Sequence, residues 1–221
     1  MPGADEGGHS PAVLRELLVE ARGAGFLGPG PIEPQIRHAE GFAAIARRLT
    51  PDGRPTKLVD LGSGGGLPGL VVAGGWPEAS VALLEANGRR VAFLRRAVDR
   101  LGLADRVTVL EGRAEDCGRQ EGLRGGFDVV LARSFGRPAV VAECAAPLLR
   151  VGGWLVVSEP PRTESGTDEE TRWPPTELRQ LGLEPAEVVH EDFEYHTLRQ
   201  TAPCPERFPR RNGVPAKRPL F

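Results

Sequence analysis

Two acidic residues and a cluster of glycines lie close together in the sequence, in and just after the stretch KLVDLGSGGGLPGL from Lys57 to Leu70. Asp60 lies in a short apolar run, and a second acid, Glu85, follows the next apolar run, Val81 to Leu84. A carboxylate at the end of a strand can accept hydrogen bonds from ribose hydroxyls or neutralise a cation. The glycines have no Cβ, so the backbone between them can approach a ligand closely. These residues predict a site for a nucleotide-like molecule.

The class of nucleotide depends on the charge near the glycines. Gly64, Gly66 and Gly69 satisfy the spacing G-x-G-x-x-G, which taken alone is a weak indication of a dinucleotide. Asp60 would repel a pyrophosphate, and the turn has no lysine or arginine to offset it. An acid here suits a cationic group instead, such as the ammonium of S-adenosyl-L-methionine. Glu85 supports a nucleoside in either case, and both acids could instead be a helix cap and a solvated strand end.

Length and composition favour a single α/β domain with short appendages. The chain has 221 residues, of which 40% are hydrophobic, and this is enough for a single core. The sequence has no apolar run long enough to cross a membrane and no secretory signal, so we expect a cytoplasmic protein, with a monomer favoured. Cys117, Cys144 and Cys204 are far apart and the histidines are scattered, so neither a disulfide framework nor a metal site is predicted.

Positive charge is concentrated at the C-terminus, although the formal net charge of the chain is −2. The segment Arg207 to Phe221 contains no acid. Its basic residues are Arg207, Arg210, Arg211, Lys217 and Arg218. Arginine suits bidentate contact with phosphate, so this segment is a candidate surface for a nucleic acid.

The order of apolar patterns predicts a mostly parallel, doubly wound sheet. Two amphipathic helices, Pro11 to Arg22 and Pro34 to Leu49, come first and form a flank or lid, and the second is expected to bury Ile36. Strands and helices then alternate from Lys57, with a helix from Pro138 to Leu149 and a fifth strand from Gly153 to Val157. Two late strands, at about Ala186 to His190 and Tyr195 to Gln200, form an antiparallel hairpin after a loop at Pro160 to Asp168. The predicted divisions are a helical flank at 1–55, a catalytic domain at 56–201 and a basic tail at 202–221.

Several motifs resemble one family in their order and spacing. They are VDLGSGGGLPGLVVA, LLEANGRRVAFLRR, GRAED, FDVVLARS, LLRVGGWLVVS and FPRRNGVPAKRPL, which together span roughly Lys57 to Leu220. The chain resembles the bacterial small-subunit ribosomal RNA guanine N-7 methyltransferases, also called glucose-inhibited division protein B. This resemblance implies a class I S-adenosyl-L-methionine-dependent methyltransferase fold, with ribosomal RNA or the small ribosomal subunit as partner.

The resemblance also implies positions for the methyl donor. It places Gly62 and Leu67 at the methionine side of S-adenosyl-L-methionine, and Ala114 and Glu115 at the adenine. It places Arg133 beside both the donor and the incoming base.

The proposed reaction agrees with the residue types present. Guanine N7 has a free lone pair and no proton, so its attack on a methyl group needs alignment but no general base. Arg113 and Arg133 follow the third and fourth strands, and we expect them to converge near the donor. There they could bind guanine O6 or a phosphate. Their alternative role is a surface salt bridge with Glu115 or Asp128.

The sequence departs from the family at several positions. Ser158, Glu159 and Pro160 stand where the family has a lysine, and Tyr195 or His196 stands where it tends to have an arginine. Two other functions therefore remain open. One is a small-molecule methyltransferase, which the acidic segment Glu164 to Glu170 favours. The other is a non-catalytic protein that binds S-adenosyl-L-methionine or ribosomes.

Overall fold

A single sheet of seven strands forms the centre of the computed structural model, which describes residues 10–50, 56–159, 172–190 and 192–221. The strands are β1 Lys57–Leu61, β2 Ser80–Glu85, β3 Val107–Glu111, β4 Phe127–Ala132, β5 Leu149–Ser158, β6 Leu183–His190 and β7 Glu194–Gln200. Their order across the sheet is β3-β2-β1-β4-β5-β7-β6. The first five are parallel, and β7 pairs antiparallel with β5 and β6. The predicted sheet with a late hairpin is confirmed.

Helices cover both faces of this sheet. They are α1 Pro11–Gly23, α2 Ile32–Leu49, α3 Gly69–Gly75, α4 Gly88–Arg100, α5 Ala114–Cys117, α6 Pro138–Ala145, α7 Pro175–Arg179 and α8 Val214–Lys217. Successive strand residues point to opposite faces, so Leu58 packs in the core with α1 to α4 while Val59 packs in the core with α5 to α7. Both cores are apolar, which explains the nearly continuous hydrophobic run of each central strand.

Two predicted helix boundaries are corrected by the structure. The second helix begins at Ile32 rather than Pro34, and it buries Phe42 and Ile45 more deeply than the predicted Ile36. The helix predicted from Pro138 to Leu149 ends at Ala145 and continues as a 3-10 helix, Ala146–Leu148. Pro147 has no backbone N–H for an α-helical hydrogen bond, which explains the change.

The strands of the hairpin and β5 are longer than predicted. β5 begins at Leu149 rather than Gly153, and β6 begins at Leu183 rather than Ala186. β6 contains Pro185 because it is the edge strand, where the missing N–H can face solvent. The predicted loop at Pro160 to Asp168 and the acidic segment Glu164 to Glu170 lie outside the described residues.

The N-terminal helices and the C-terminal segment both pack on the central domain. α2 contacts α3 and β5, and a Cβ added to Gly65 would lie 3.1 Å from Cβ of Ala21 in α1, so these helices lie beside the glycine turn and the helix that follows it. The C-terminal residues lie against α6, where the Phe208 side chain is 4% exposed. None of the described helices is both long and apolar enough to span a bilayer.

Candidate functional site

The turn after β1 holds its glycines in a backbone conformation that other residues rarely adopt. Gly62, Gly64 and Gly66 have φ angles of 75°, 54° and 95°. The N–H groups of Gly62 and Ser63 both donate to the carbonyl oxygen of Leu84, at 2.9 and 3.0 Å, which ties the turn to the end of β2. A Cβ added to Gly62 would lie 2.5 Å from Cδ2 of Phe135. The turn is therefore constrained both by its own backbone conformation and by the ring of Phe135, which follows β4.

Asp60 lies beneath this turn rather than on the surface. Its side chain is buried, at 1% exposure, and Oδ2 accepts a 2.9 Å hydrogen bond from the Gly69 N–H. Burial raises the pKa of Asp60 to about 7, an effect that the Gly69 hydrogen bond and the charge of Arg133 only partly offset. The structure thus holds a carboxyl group poised between its neutral and charged forms near pH 7.

Glu85 connects the glycine turn to the start of α4. Oε2 accepts from the Gly64 N–H at 2.9 Å, and Oε1 accepts from the N–H groups of Ala86 and Asn87 at 2.9 and 2.8 Å. A carboxylate has about four lone-pair positions, so these three bonds leave room for one more donor. The prediction that Glu85 binds a ribose hydroxyl is compatible with this arrangement and stays a prediction.

The residues that the resemblance assigns to the adenine and the methionine are mostly buried. Ala114 and Glu115 are 6% and 5% exposed at the carboxyl end of β3, and Leu67 is 4% exposed within the core. Glu115 Oε1 accepts a 2.9 Å hydrogen bond from the N–H of Gly213, a residue of the C-terminal segment. Glu115 thus has a structural role that the sequence did not predict.

Arg113 and Arg133, expected to converge, have different surroundings. β3 and β4 are separated in the sheet by β2 and β1. The Arg113 side chain is 55% exposed and lies 3.4 Å from Glu115, which is one of the two salt bridges considered from the sequence. Arg133 is partly buried, and its Nη2 donates to Gln35 Oε1 of α2 at 3.2 Å. Burial lowers the pKa of the Arg133 guanidinium, and the negative charge of Asp60 opposes this shift.

A cavity of about 460 Å³ lies at the carboxyl ends of β4 and β5. Its walls include Arg133, Phe135, Arg137, Glu159, Trp173 and His38. In open parallel sheets, ligands bind at the carboxyl ends of strands where the strand order reverses, as it does here between β1 and β4. The Phe135 ring lies against Gly62 as well, so the cavity and the glycine turn are neighbours.

Two residues at or next to this cavity were not identified from the sequence. His38 was classed with ordinary histidines, yet burial, aided by the charge of Arg133, lowers its pKa to about 4, so its imidazole is neutral at pH 7. Gln35, which positions Arg133, was read only as part of an amphipathic helix. A polar residue in the buried stripe of α2 was the available signal, since glutamine is rarely buried without a partner.

The predicted RNA-binding residues of the C-terminal segment fall into two groups. Arg210 donates from Nε and Nη2 to the two oxygens of Glu143, at 2.8 and 2.6 Å, and the Glu143 side chain is fully buried. Arg207, Arg211 and Lys217 are exposed. Arg210 therefore has an internal partner, whereas the other three present charge to solvent.

Comparisons with known proteins give the same family from sequence and the same fold from structure. The family model described as rRNA small subunit methyltransferase G (GidB) matches residues 38–172. A protein named ribosomal RNA small subunit methyltransferase G, from Prochlorococcus marinus (strain MIT 9303), is 39% identical over 172 residues, covering 76% of this chain and 69% of that protein. A protein of the same name from Chloroflexus aggregans (strain MD-66 / DSM 9485) is 40% identical over 172 residues, covering 75% of this chain and 70% of that protein.

Solved structures share the fold at low sequence identity. An O-methyltransferase from Bacillus cereus in complex with SAH has a TM-score of 0.62 at 17% identity, covering 86% of this chain and 91% of its own. An SAH-bound methyltransferase from Podospora anserina has a TM-score of 0.61 at 16% identity, covering 88% and 90%. This likeness establishes a class I methyltransferase fold and, at such identity, nothing about the methyl acceptor.

Proposed function

Since this chain belongs to the GidB family, rRNA small subunit methyltransferase G, we propose that it methylates N7 of a guanine in small-subunit ribosomal RNA. The observation that carries the proposal is the cavity beside the glycine turn, with Arg133 in its wall. Under this proposal, residues 56–201 form the methyltransferase domain, residues 1–55 form a helical flank, and residues 202–221 form an RNA-binding tail.

The residues at the carboxyl ends of β1 to β3 fit the donor S-adenosyl-L-methionine. The left-handed turn at Gly62 and Gly64 brings bare backbone beside two acids, Asp60 and Glu85. Glu85 Oε2 accepts one hydrogen bond, from Gly64, and lies 3.8 Å from Arg90 Nη1, so a ribose hydroxyl could donate to its remaining lone pair beside Arg90. When bound, the donor supplies an electrophilic methyl group on a positively charged sulfur. Asp60, Gly62, Gly64 and Leu67 would hold the methionine end, with Leu67 acting through its main chain because its side chain is in the core.

The nucleoside end would lie along the next two strands. Glu85 would accept from the ribose, and Ala114 and Glu115 would border the adenine at the end of β3. The exposed Arg113 would lie at the rim, where its contact with Glu115 stabilises the orientation of that carboxylate. This arrangement leaves the cavity at β4 and β5 for the methyl acceptor.

The cavity suits a base that carries phosphate. Arg133, Arg137 and Arg172 contribute positive charge to its wall and Glu159 contributes a negative charge, while His38 is neutral. Arg133 would donate a hydrogen bond to guanine O6, next to the reacting N7. Because N7 has no proton to lose, the role of the chain is to align this atom with the donor and to exclude water.

The test combines a gene deletion with matched substitutions. The deletion strain is expected to lack one 7-methylguanosine in its small-subunit rRNA, and the wild-type gene is expected to restore it. Arg133→Ala removes a charge-assisted hydrogen bond and is expected to slow methylation of RNA in vitro by about 10- to 100-fold. Arg150→Ala, at the opposite ends of these strands, is the control. Unchanged 7-methylguanosine in the deletion strain would refute the proposal.

A further inference from the structure

Buried polar atoms without partners concentrate around the cavity. Among the residues that the structure describes, four buried side-chain atoms make no hydrogen bond: His38 Nε2, Arg133 Nη1, Glu159 Oε2 and Gln200 Oε1. The first three belong to residues that line the same cavity. Buried polar groups in folded proteins are nearly always hydrogen-bonded, so three such atoms around one cavity point to a ligand that pairs with them, although Glu159 Oε2 already has an ion-pair partner in Arg172.

Glu159 is the acceptor of this set. It directly follows β5, and its N–H donates to the Glu194 carbonyl oxygen at 3.0 Å, which fixes its backbone. Its side chain is 4% exposed, and Oε1 accepts a 2.8 Å hydrogen bond from Trp173 Nε1. The carboxylate is therefore held in one orientation while Oε2 is not hydrogen-bonded.

Arg172 forms an ion pair with that oxygen. Its Nε lies 2.8 Å from Glu159 Oε2, close enough for an ion pair but outside hydrogen-bond geometry. The Arg172 side chain is 55% exposed, whereas the Glu159 side chain is 4% exposed, so loss of Arg172 alone would leave a buried carboxylate without a partner. A ligand that displaces Arg172 must therefore supply donors of its own to Glu159, and two adjacent N–H groups would do so.

Guanine carries such donors on one edge. Its N1–H and N2 amine are adjacent donors, O6 beside them is an acceptor, and N7 lies beyond O6. A carboxylate can accept hydrogen bonds from both of these donors. Adenine instead has an acceptor at N1, which a carboxylate would repel.

The order of the strands matches the order of these base atoms. The glycine turn follows β1, Arg133 follows β4 and Glu159 follows β5, and these three strands are neighbours in the sheet. A guanine in the cavity with N7 toward the glycine turn would place O6 by Arg133 and its donor edge by Glu159.

We propose that Glu159 determines base specificity by accepting hydrogen bonds from N1–H and the N2 amine of an unpaired target guanine. This inference rests on the proposed function and adds the residue that reads the base. The Watson–Crick edge must be free for this contact, so the target guanine must leave any base pair before it enters the cavity. Where this chain has Ser158, Glu159 and Pro160, the family has a lysine. Under this proposal, the change to an acid at Glu159 would still serve recognition of guanine.

The test pairs a substitution with a base analogue. Single-turnover methylation is measured on RNA that carries guanosine or inosine at the mapped target, because inosine lacks only the N2 amine. The wild-type enzyme is expected to prefer guanosine by about tenfold, which is the loss for one charge-assisted hydrogen bond. Glu159→Gln is expected to methylate guanosine about tenfold more slowly and to show a much smaller preference over inosine.

Two measurements separate recognition from a structural role. Glu159→Gln retains an acceptor for Trp173, and its affinity for S-adenosyl-L-methionine is expected to equal that of the wild type by calorimetry. Arg172→Ala removes the ion pair but keeps the carboxylate, so it is expected to keep the guanosine preference. An equal preference in wild type and Glu159→Gln, or its loss in Arg172→Ala, would overturn this inference alone. No 7-methylguanosine with the wild-type enzyme would overturn the proposed function instead.

Discussion

Asp60 shows why the position of an acid does not by itself give its charge. The sequence predicts a carboxylate that faces a positively charged donor. In the structure burial disfavours the charged form, and the Gly69 N–H and Arg133 only partly compensate, so the pKa is about 7. A nearby cation would favour the ionised form, so donor binding and proton release by Asp60 should be coupled.

The affinity for S-adenosyl-L-methionine should therefore depend on pH around neutrality. Only ionised Asp60 attracts a cation, and its ionised fraction rises as the pH passes the pKa of about 7. The affinity is expected to rise about fivefold from about pH 6 to about pH 7.5 and to fall again above about pH 8, where the amino group of the ligand loses its proton. Isothermal titration calorimetry in buffers of different ionisation enthalpy would measure both the affinity and the protons released.

An Asp60→Asn variant provides the control for this pH dependence. The amide can still accept from the Gly69 N–H but does not titrate. Any pH dependence that remains in the variant belongs to the amino group of the ligand, whose ordinary pKa lies near neutrality. The same rise in affinity from about pH 6 to about pH 7.5 in both proteins would contradict a role for Asp60 in holding the donor.

At the scale of elements, local patterns predicted the strand, turn and helix around Lys57 to Leu70, but not what fills the space around the turn. A Cβ on Gly62 would meet the Phe135 ring, and one on Gly65 would lie 2.5 Å from Cγ of Leu27 in the loop between α1 and α2. Both contacts join segments far apart in sequence, and spacing within one motif carries no information about them. Two of the glycines thus accommodate neighbouring side chains, a role that the sequence did not show.

The same reasoning explains which site residues could be predicted. Asp60, Glu85 and Arg133 could be proposed from the sequence as candidate site residues because each lies at or next to the end of a strand, where parallel sheets bind ligands. Gln35 and Trp173 could not, since their place at the site depends on how α2 and the segment before α7 pack on the sheet. The boundary errors at α2 and β6 also have tertiary causes, because Ile32 is buried at the start of α2 and Leu183 to Pro185 pair with β7.

Two glycines with nearly equal φ angles separate backbone strain from side-chain packing. Gly25, at 73°, has open space around its Cβ position, whereas Gly62, at 75°, faces Phe135. Gly25→Ala is expected to lower the free energy of unfolding by about 1–2 kcal/mol through its left-handed backbone alone. Gly62→Ala is expected to lose more, because the Phe135 ring must also move, and to bind S-adenosyl-L-methionine more weakly.

Urea denaturation of the double variant Gly62→Ala, Phe135→Ala completes this comparison. If the ring causes the additional loss, removing it should recover part of that loss, so the two substitutions will not be additive. Strict additivity of the two losses would show that Phe135 does not constrain Gly62.

At the scale of the whole molecule, the C-terminal segment belongs to the fold as much as to the predicted RNA surface. Arg124 donates to the carbonyl oxygens of Cys204, Pro205 and Phe208, and Arg210 pairs with the buried Glu143 of α6. The sequence predicts a basic tail because composition records charge but not its partner.

Arg210 is therefore expected to act on stability. Arg210→Ala would leave the Glu143 carboxylate buried without its partner, which costs about 3–5 kcal/mol in comparable pairs. Arg211→Ala, at the neighbouring exposed position, is expected to change the free energy of unfolding by less than about 0.5 kcal/mol. Urea denaturation of the two variants measures the difference, and similar values would show that the ion pair does not anchor the segment.

The exposed charges of the same segment are expected to govern RNA affinity instead. Replacing Arg207, Arg211 and Lys217 by alanine together removes three positive charges that face solvent, while the Arg210 anchor stays in place. RNA binding should weaken, and the slope of log affinity against log salt concentration should fall by about 0.7–0.9 for each phosphate that the variant no longer neutralises. Affinity for S-adenosyl-L-methionine should not change.

Replacement of Arg95, Arg96 and Arg100 of α4 by alanine provides the control, since it also removes three positive charges. These three arginines lie away from the C-terminal segment and pair with acids on α1 or β3. An equal decrease in RNA affinity in both triple variants would mean that net charge, and not the position of the C-terminal segment, determines binding.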